Sequence, residues 1–352
     1  MKNFVPLLAS EYGLTVTDVQ QIKGIAANPV YSAETSKDKL FIKVVSKSRP
    51  ANEEVYSARL QLLQDLANEN VPVPSLKETL DGRLYVPTED NFMEVYPFIP
   101  NGEFYSGHPG QVGQIAQAMA RFHSVADKLK ERPYFSVLEQ SPSPFGAIAP
   151  ITAEEIAEYQ SLVHLLPKSV RGFIAYCLDV LKERTDDILR EVTKIREKAQ
   201  DVGIVHGDLH DQNVMMDKNT KNLMALVDWE GTHGRSRGFD IAYTLERLAV
   251  TPSPSHLYDT SFPFNQVGFN KKKIDQFLES YDQERTIDKA LKAEFIPELQ
   301  MEAVARGSKF LHSLFEGLQD KKEVDVNWLH LVLRIQTPAR FDALNDFFMK
   351  TV

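Results

Sequence analysis

The densest group of side chains able to do chemistry is the run His206-Gly207-Asp208-Leu209-His210-Asp211-Gln212-Asn213. It fits H-x-D-x-x-x-x-N, the spacing of a phosphotransferase catalytic loop. Fifteen residues after Asn213, the run Leu226-Val227-Asp228-Trp229-Glu230 puts an acidic residue where a kinase carries the aspartate of its Asp-Phe-Gly segment. Two apolar runs, Gly203-Ile204-Val205 and Leu223-Met224-Ala225-Leu226-Val227, end immediately before these polar clusters, so the candidate groups stand at strand ends. Phosphoryl transfer suits such a set. Its loose transition state needs in-line positioning and neutralised oxygen charge more than covalent help.

Two other readings compete for the same residues. Asp208, Asp211 and Asn213 could form only a turn with local side-chain to backbone bonds, as these residue types often do. A bare turn leaves the preceding apolar strand and the later Asp228 without explanation. His206 and His210, with Asp208 or Asp211, could instead hold zinc for hydrolysis. On a helix the two histidines would share a face, but Gly207 and the strand before it make a turn the better expectation.

The hydrophobic period shows what must position these groups. A short helix carrying Leu7, Leu8 and Tyr12 is followed by three strands, Val19–Lys23, Pro29–Thr35 and Lys39–Val45, whose order predicts an antiparallel sheet. Residues 52–70 read as a helix with Val55, Leu60, Leu62, Leu63 and Leu66 on its apolar stripe. Strands are expected at Leu76–Leu80 and Arg83–Pro87, turned by Asp81-Gly82, and at Asn91–Tyr96. Beyond that point the pattern is helical, over 112–123, 154–165, 170–195, 274–281, 296–318 and 328–348, interrupted by the strands around the catalytic run. The expected fold class is α+β in two lobes, residues 1–95 with a small antiparallel sheet and 96–352 mainly helical.

Composition narrows the partners. The chain has 352 residues, 43% hydrophobic and 25% charged, which suits a folded chain of two lobes. A net charge of −9, with no basic run longer than Lys271-Lys272-Lys273, argues against nucleic acid. Cys177 is the single cysteine, which excludes an intrachain disulfide and fits a reducing compartment. The N-terminal residues lack an uninterrupted apolar core, and no apolar run reaches membrane-spanning length, so a cytoplasmic protein is expected.

With its two acidic centres and strand pattern, the sequence resembles the aminoglycoside phosphotransferase and choline kinase-like family, which shares the protein-kinase-like fold. The likeness runs over nearly the whole chain and is most specific from Gly203 to Tyr243. It implies ATP and Mg²⁺ as cofactors and a hydroxyl of a small molecule as acceptor: an amino alcohol, a homoserine-like metabolite, a sugar or an aminoglycoside. By the same resemblance Asp208 accepts or orients the hydroxyl proton, and Asn213 and Asp228 hold the metal. Lys43 meets the ATP phosphates, and alternation places it with Phe41 and Val45 toward an interior. Its partner is expected on the following helix, where Glu54 is preferred over the adjacent Glu53. Met93-Glu94-Val95-Tyr96 resembles the lobe-connecting hinge, with Glu94 and Tyr96 giving backbone contacts to adenine. The loop Lys23–Pro29 departs from the glycine-rich pattern because it holds one glycine. That departure sustains an alternative, a nucleotide-binding pseudokinase with a regulatory role. Asp240 is expected to cap a helix and brace the catalytic loop, with His123 packed structurally. Trp229 and Glu230, with Tyr243 and Glu302, are expected at the acceptor rim, beside a segment at Ser141–Gly146.

Overall fold

The computed structural model describes residues 4–22, 28–48, 52–141, 150–166, 168–197, 201–251 and 268–319. The chain opens with α1 (Val5–Tyr12), closed by Gly13 in the left-handed region, and continues into β1 (Val16–Ile22), β2 (Val30–Thr35) and β3 (Lys39–Ser46). Asn52 then caps α2 (Glu53–Asn68) by accepting the Val55 N–H at 2.8 Å. After β4 (Val86–Pro87) and β5 (Asn91–Pro97) the first sheet is complete, antiparallel throughout in the order β1-β2-β3-β5-β4.

Both faces of this sheet are covered, which is why its strands carry more apolar residues than simple alternation demands. Leu40, Ile42 and Val44 of β3 join Met93 and Val95 of β5 in a core with Phe4, Leu8 and Tyr12 from the α1 side. The other face presents Val45 and Phe92 to Tyr56 of α2, whose ring stacks on Phe92 at 4.2 Å. The expected strand at Leu76–Leu80 does not form, and the one at Arg83–Pro87 shrinks to β4. The Thr79 N–H donates to the Arg83 carbonyl at 2.9 Å, while the Thr79 hydroxyl accepts the Arg83 N–H at 2.8 Å and donates to Asp81 at 2.6 Å, so a side chain closes the turn and takes the N–H that a hairpin ladder would have used. The turn at Asp81-Gly82 is present, with Gly82 at φ 81°.

The chain leaves the first sheet at Pro97 and enters β6 (Gly102–Phe104), then α3 (Pro109–Lys128), α4 (Pro133–Gln140), α5 (Ala153–Leu162) and the long α6 (Lys168–Arg196). The strands β7 (Val202–Val205), β8 (Val214–Asp217), β9 (Leu223–Leu226) and β10 (His233–Ser236) follow, pairing as β6-β8-β9 and β7-β10. Helix α7 (Arg237–Leu248) precedes the short pair β11 (Val250–Thr251) and β12 (Gly268–Phe269), and α8 (Lys271–Glu284) and α9 (Lys289–Gln319) complete the described chain. This is a mixed fold with a small antiparallel-sheet lobe followed by a mainly helical region. The main core runs from α2 through α3, α7 and α8, and a second core joins α5, α6 and α9 around Leu178, Leu314 and Phe315. The helix expected at 328–348 lies outside the described residues.

Candidate active site

At the end of β7 the chain turns sharply. Gly207 stands at φ 80°, and a Cβ there would come within 2.3 Å of the Gly231 carbonyl oxygen, so only glycine fits. The turn hangs on Asp240, whose two carboxylate oxygens accept the N–H groups of His206 at 2.9 Å and Gly207 at 3.0 Å. A neutral His123 donates from Nε2 to the same carboxylate at 3.1 Å and accepts the Tyr281 hydroxyl at Nδ1 at 2.7 Å. Burial holds His123 below the usual histidine range, which favours that neutral form. Burial also opposes the charge on Asp240, yet His123 and the loop N–H groups hold its carboxyl below the ordinary range. Asp240 thus braces the loop but does not cap α7. That cap is Ser236, which accepts the Gly238 N–H at 3.0 Å.

His206 is fully buried, its Nε2 facing the Val227 carbonyl at 3.1 Å and its ring 4.7 Å from that of Trp229. His210 accepts the Gln212 N–H at Nδ1 at 3.2 Å, capping a single turn at Asp211–Asn213. Both rings therefore serve the backbone, unlike the ligands a zinc centre needs. Among the described residues no cluster of three or more His, Cys, Asp and Glu side chains is arranged to hold a metal.

Asn213 is buried and donates from Nδ2 to the Asp208 carbonyl at 2.8 Å, which leaves Oδ1 as the atom it can offer to a ligand. The Val227 N–H donates to the Asn213 carbonyl at 2.9 Å, bringing the two acidic segments side by side. Asp228 follows in the left-handed region, at φ 64° and ψ 63°, a strained conformation for any residue but glycine. Its carboxylate meets Lys43 Nζ at 2.7 Å, and Lys43 also pairs with Glu230 at 2.6 Å. Burial opposes the charge on Asp228, but the Lys43 ammonium outweighs it and holds the carboxyl below its usual range. For Lys43, desolvation is likewise overcome by Asp228 and Glu230, which keep it protonated well above its ordinary range. An amide oxygen beside a carboxylate is the hard donor set that Mg²⁺ prefers, so the residues present fit such an ion.

A sequence profile of the phosphotransferase enzyme family matches residues 18–262. The chain belongs to that family. Comparison with curated protein sequences gives no match. Among solved structures the fold is similar to a spectinomycin phosphotransferase in complex with ADP and spectinomycin, at 17% identity and TM-score 0.60 over 99% of this chain and 98% of that one. It is also similar to an amicoumacin kinase bound to AMP-PNP and Ca²⁺, at 16% identity and TM-score 0.61 over 99% and 94%. A choline kinase from Streptococcus pneumoniae aligns at 15% identity and TM-score 0.53 over 97% of each chain. At these identities the likeness establishes the protein-kinase-like fold.

Against that family pattern, several expected residues sit differently. Glu54 is exposed in the first turn of α2, and Glu53 accepts the Tyr85 hydroxyl at 2.7 Å. Among the described residues, the carboxylates in ion pairs with Lys43 are Asp228 and Glu230. Glu94 is buried opposite Lys43 in the β3-β5 ladder. That ladder is bounded by Phe98 N–H on Lys39 O and Lys47 N–H on Asp90 O, and its alternation turns the backbone groups of Glu94 and Tyr96 toward β3. Those groups are occupied in the sheet, and the side chains, not the backbone, are what Glu94 and Tyr96 bring to the site. Trp229 is buried, donating to the Leu226 carbonyl at 2.8 Å and meeting Phe122 edge-on, so it belongs to the core beneath the site and not to a rim. Glu230 faces the sheet lobe, binding Lys43 and the Asn28 amide. Of the loop Lys23–Pro29, residues 23–27 lie outside the described part of the chain, as do residues 142–149 of the expected rim.

The surroundings of Asp208 were not anticipated. Its Oδ1 accepts the Tyr243 hydroxyl at 2.7 Å and lies 3.5 Å from Arg306 Nη2, while Oδ2 is 3.8 Å from His210 Nε2. Burial pushes the Tyr243 phenol up to about 12, so it stays a donor. Arg306 in turn pairs with Glu302 at 2.5 Å, and Arg235 pairs with Glu302 at 2.6 Å and with Glu298 at 2.8 Å. Glu302 therefore anchors a guanidinium network and does not stand at a free rim. Glu298, Glu302 and Arg306 recur at four-residue steps on α9, the one trace of this network in the sequence.

Proposed function

We propose that the chain is an ATP-dependent kinase that phosphorylates a hydroxyl group of a small molecule in the cytoplasm. The observation that carries this reading is the convergence of Asp208, Asn213, Asp228 and Lys43, supplied by three separate segments and joined by the Asn213-to-Asp208, Val227-to-Asn213 and Lys43-to-Asp228 bonds. Tyr243 and Arg306 hold one oxygen of Asp208, which leaves Oδ2 to accept the hydroxyl proton of an acceptor. Lys43 moves from Asp228 to the phosphates of the nucleotide, its charge matched to oxygens that gain charge as the bond breaks. Asn213 Oδ1 and the Asp228 carboxylate would hold Mg²⁺, which when bound would neutralise the nucleotide's phosphate oxygens.

The test is ADP formation in the presence of Mg·ATP across amino alcohols, homoserine, sugars, methylthioribose and aminoglycosides. One acceptor should be turned over, and Asp208→Asn should lower kcat by about 10³-fold while the thermal unfolding profile is kept. Unchanged turnover in Asp208→Asn would reject the assignment. Mg-dependent ATP binding with no transfer to any member of the panel would favour a nucleotide-binding regulator.

A further inference from the structure

In the family pattern described above, the lysine that meets the phosphates is held by a glutamate on the following helix. Here the geometry points to another residue. We propose that Glu94 is the positioning residue of Lys43, and that α2 reaches Lys43 through the Tyr56 hydroxyl and Glu94 instead of through a glutamate of its own. The proposal rests on the reading of Lys43 as the phosphate-contacting lysine.

Lys43 and Glu94 are direct partners in the β3-β5 ladder, so their side chains rise from the same face of the sheet as neighbours. Glu94 is 3% exposed, and both its oxygens are engaged: Oε1 accepts the Tyr56 hydroxyl and Oε2 the Tyr96 hydroxyl, each at 2.5 Å. Burial raises the Glu94 carboxyl above the ordinary range, while Lys43 and the two donating phenols oppose that shift and favour the charged form. Tyr96 shares the strand with Glu94, while Tyr56 comes from α2 and is fixed by stacking on Phe92. The carboxylate therefore cannot leave the sheet face it shares with Lys43 without breaking both bonds. Asp228 and Glu230 are not equivalent anchors. They reach Lys43 from the segment after β9, and Asp228 is the residue assigned to the metal. Once metal and phosphates occupy that side, Glu94 is the carboxylate that the sheet itself keeps beside Lys43. Glu54 is exposed on α2, and Lys43 makes its ion pairs elsewhere.

The experiment uses the full chain and calorimetric titration with Mg·AMP-PNP, which needs no acceptor, beside thermal unfolding of each variant. Glu94→Gln should weaken binding by about tenfold and Tyr56→Phe by about threefold, and the double variant Lys43→Ala/Glu94→Gln should bind no more weakly than Lys43→Ala alone. That non-additivity separates action through Lys43 from a merely structural role, which would add its loss to that of Lys43→Ala. With an acceptor in hand, Glu94→Gln should raise KM for the nucleotide and leave KM for the acceptor unchanged. Parent-like binding by Glu94→Gln, with a roughly tenfold loss in Glu54→Gln, would overturn the proposal in favour of the helix glutamate. Additive losses in the double variant would also overturn it. If Glu94→Gln does not fold, the Tyr56→Phe arm decides, and parent-like binding there would sink the α2 link. Absence of any nucleotide binding by the unaltered chain would remove the kinase reading and this inference together, an outcome distinct from every one above.

Discussion

The catalytic turn and the lysine site lie against each other but are built differently. The turn from His206 to Asn213 is a short stretch whose shape is held from below by Asp240, His123 and Tyr281, all buried. The lysine site is assembled from β3, β5, α2 and the segment after β9, and each contributes one or two side chains. On the proposed function, a scaffold of fixed hydrogen bonds suits a group that would have to stay in line with an acceptor. Ion pairs shared among several carboxylates, on the same proposal, suit a cation that would change partners when a nucleotide arrives, since it would exchange one anion for another without being stripped bare.

The largest effect should come from removing the brace under the turn. Asp240→Ala leaves His123 and two buried N–H groups without their acceptor, at a cost of about 4 kcal/mol. Urea unfolding should show that loss, and turnover should fall by about a hundredfold while Mg·AMP-PNP affinity stays within about threefold. Equal losses in both readouts would mean that the two regions share one scaffold and the contrast fails.

Acid should sharpen the comparison. The guanidinium network behind Asp208 holds Glu302 at about 2, against an ordinary value of 4.5: burial opposes the charge, but Arg306 and Arg235 outweigh it. A depressed folded value means that the stabilisation is complete above about pH 4.5 and is lost as pH falls toward about 2. It amounts to something on the order of 3 kcal/mol. Denaturation midpoints between pH 5 and 2 should therefore fall steeply in the parent chain and less steeply in Glu302→Gln; parallel curves would show that other carboxylates dominate.

The smallest effect is expected away from both regions. Lys221 and Glu103 form an exposed ion pair between the β8-β9 turn and β6. Lys221→Ala should change stability by less than about 0.5 kcal/mol and leave nucleotide affinity untouched. A larger shift in the unfolding midpoint would mean that the β6-β8-β9 sheet transmits strain to Asn213.

The first sheet was readable because alternation along β3 and β5 is a local pattern that any packed two-layer lobe must obey. The loss of the strand expected at Leu76–Leu80 could not be foreseen in that way, since the Thr79 hydroxyl takes the Arg83 N–H and pattern alone cannot show that competition. Asp208, Asn213 and Asp228 could be picked out because the roles proposed for them need particular residue types at fixed short spacing beside strand ends.

The sequence by itself determined the central strands of the first sheet, the family and the segment that carries the phosphotransferase spacing, because period and motif spacing are properties of neighbouring residues. Only the tertiary structure decided which charges meet. It put Lys43 beside Glu230 and Glu94 and not Glu54, buried Trp229 in the core, and drew Arg306 to Asp208 across 98 residues of chain. Ion pairs and buried contacts form wherever folding brings compatible groups together, and for residues so far apart the separation along the chain carries no information about distance in space.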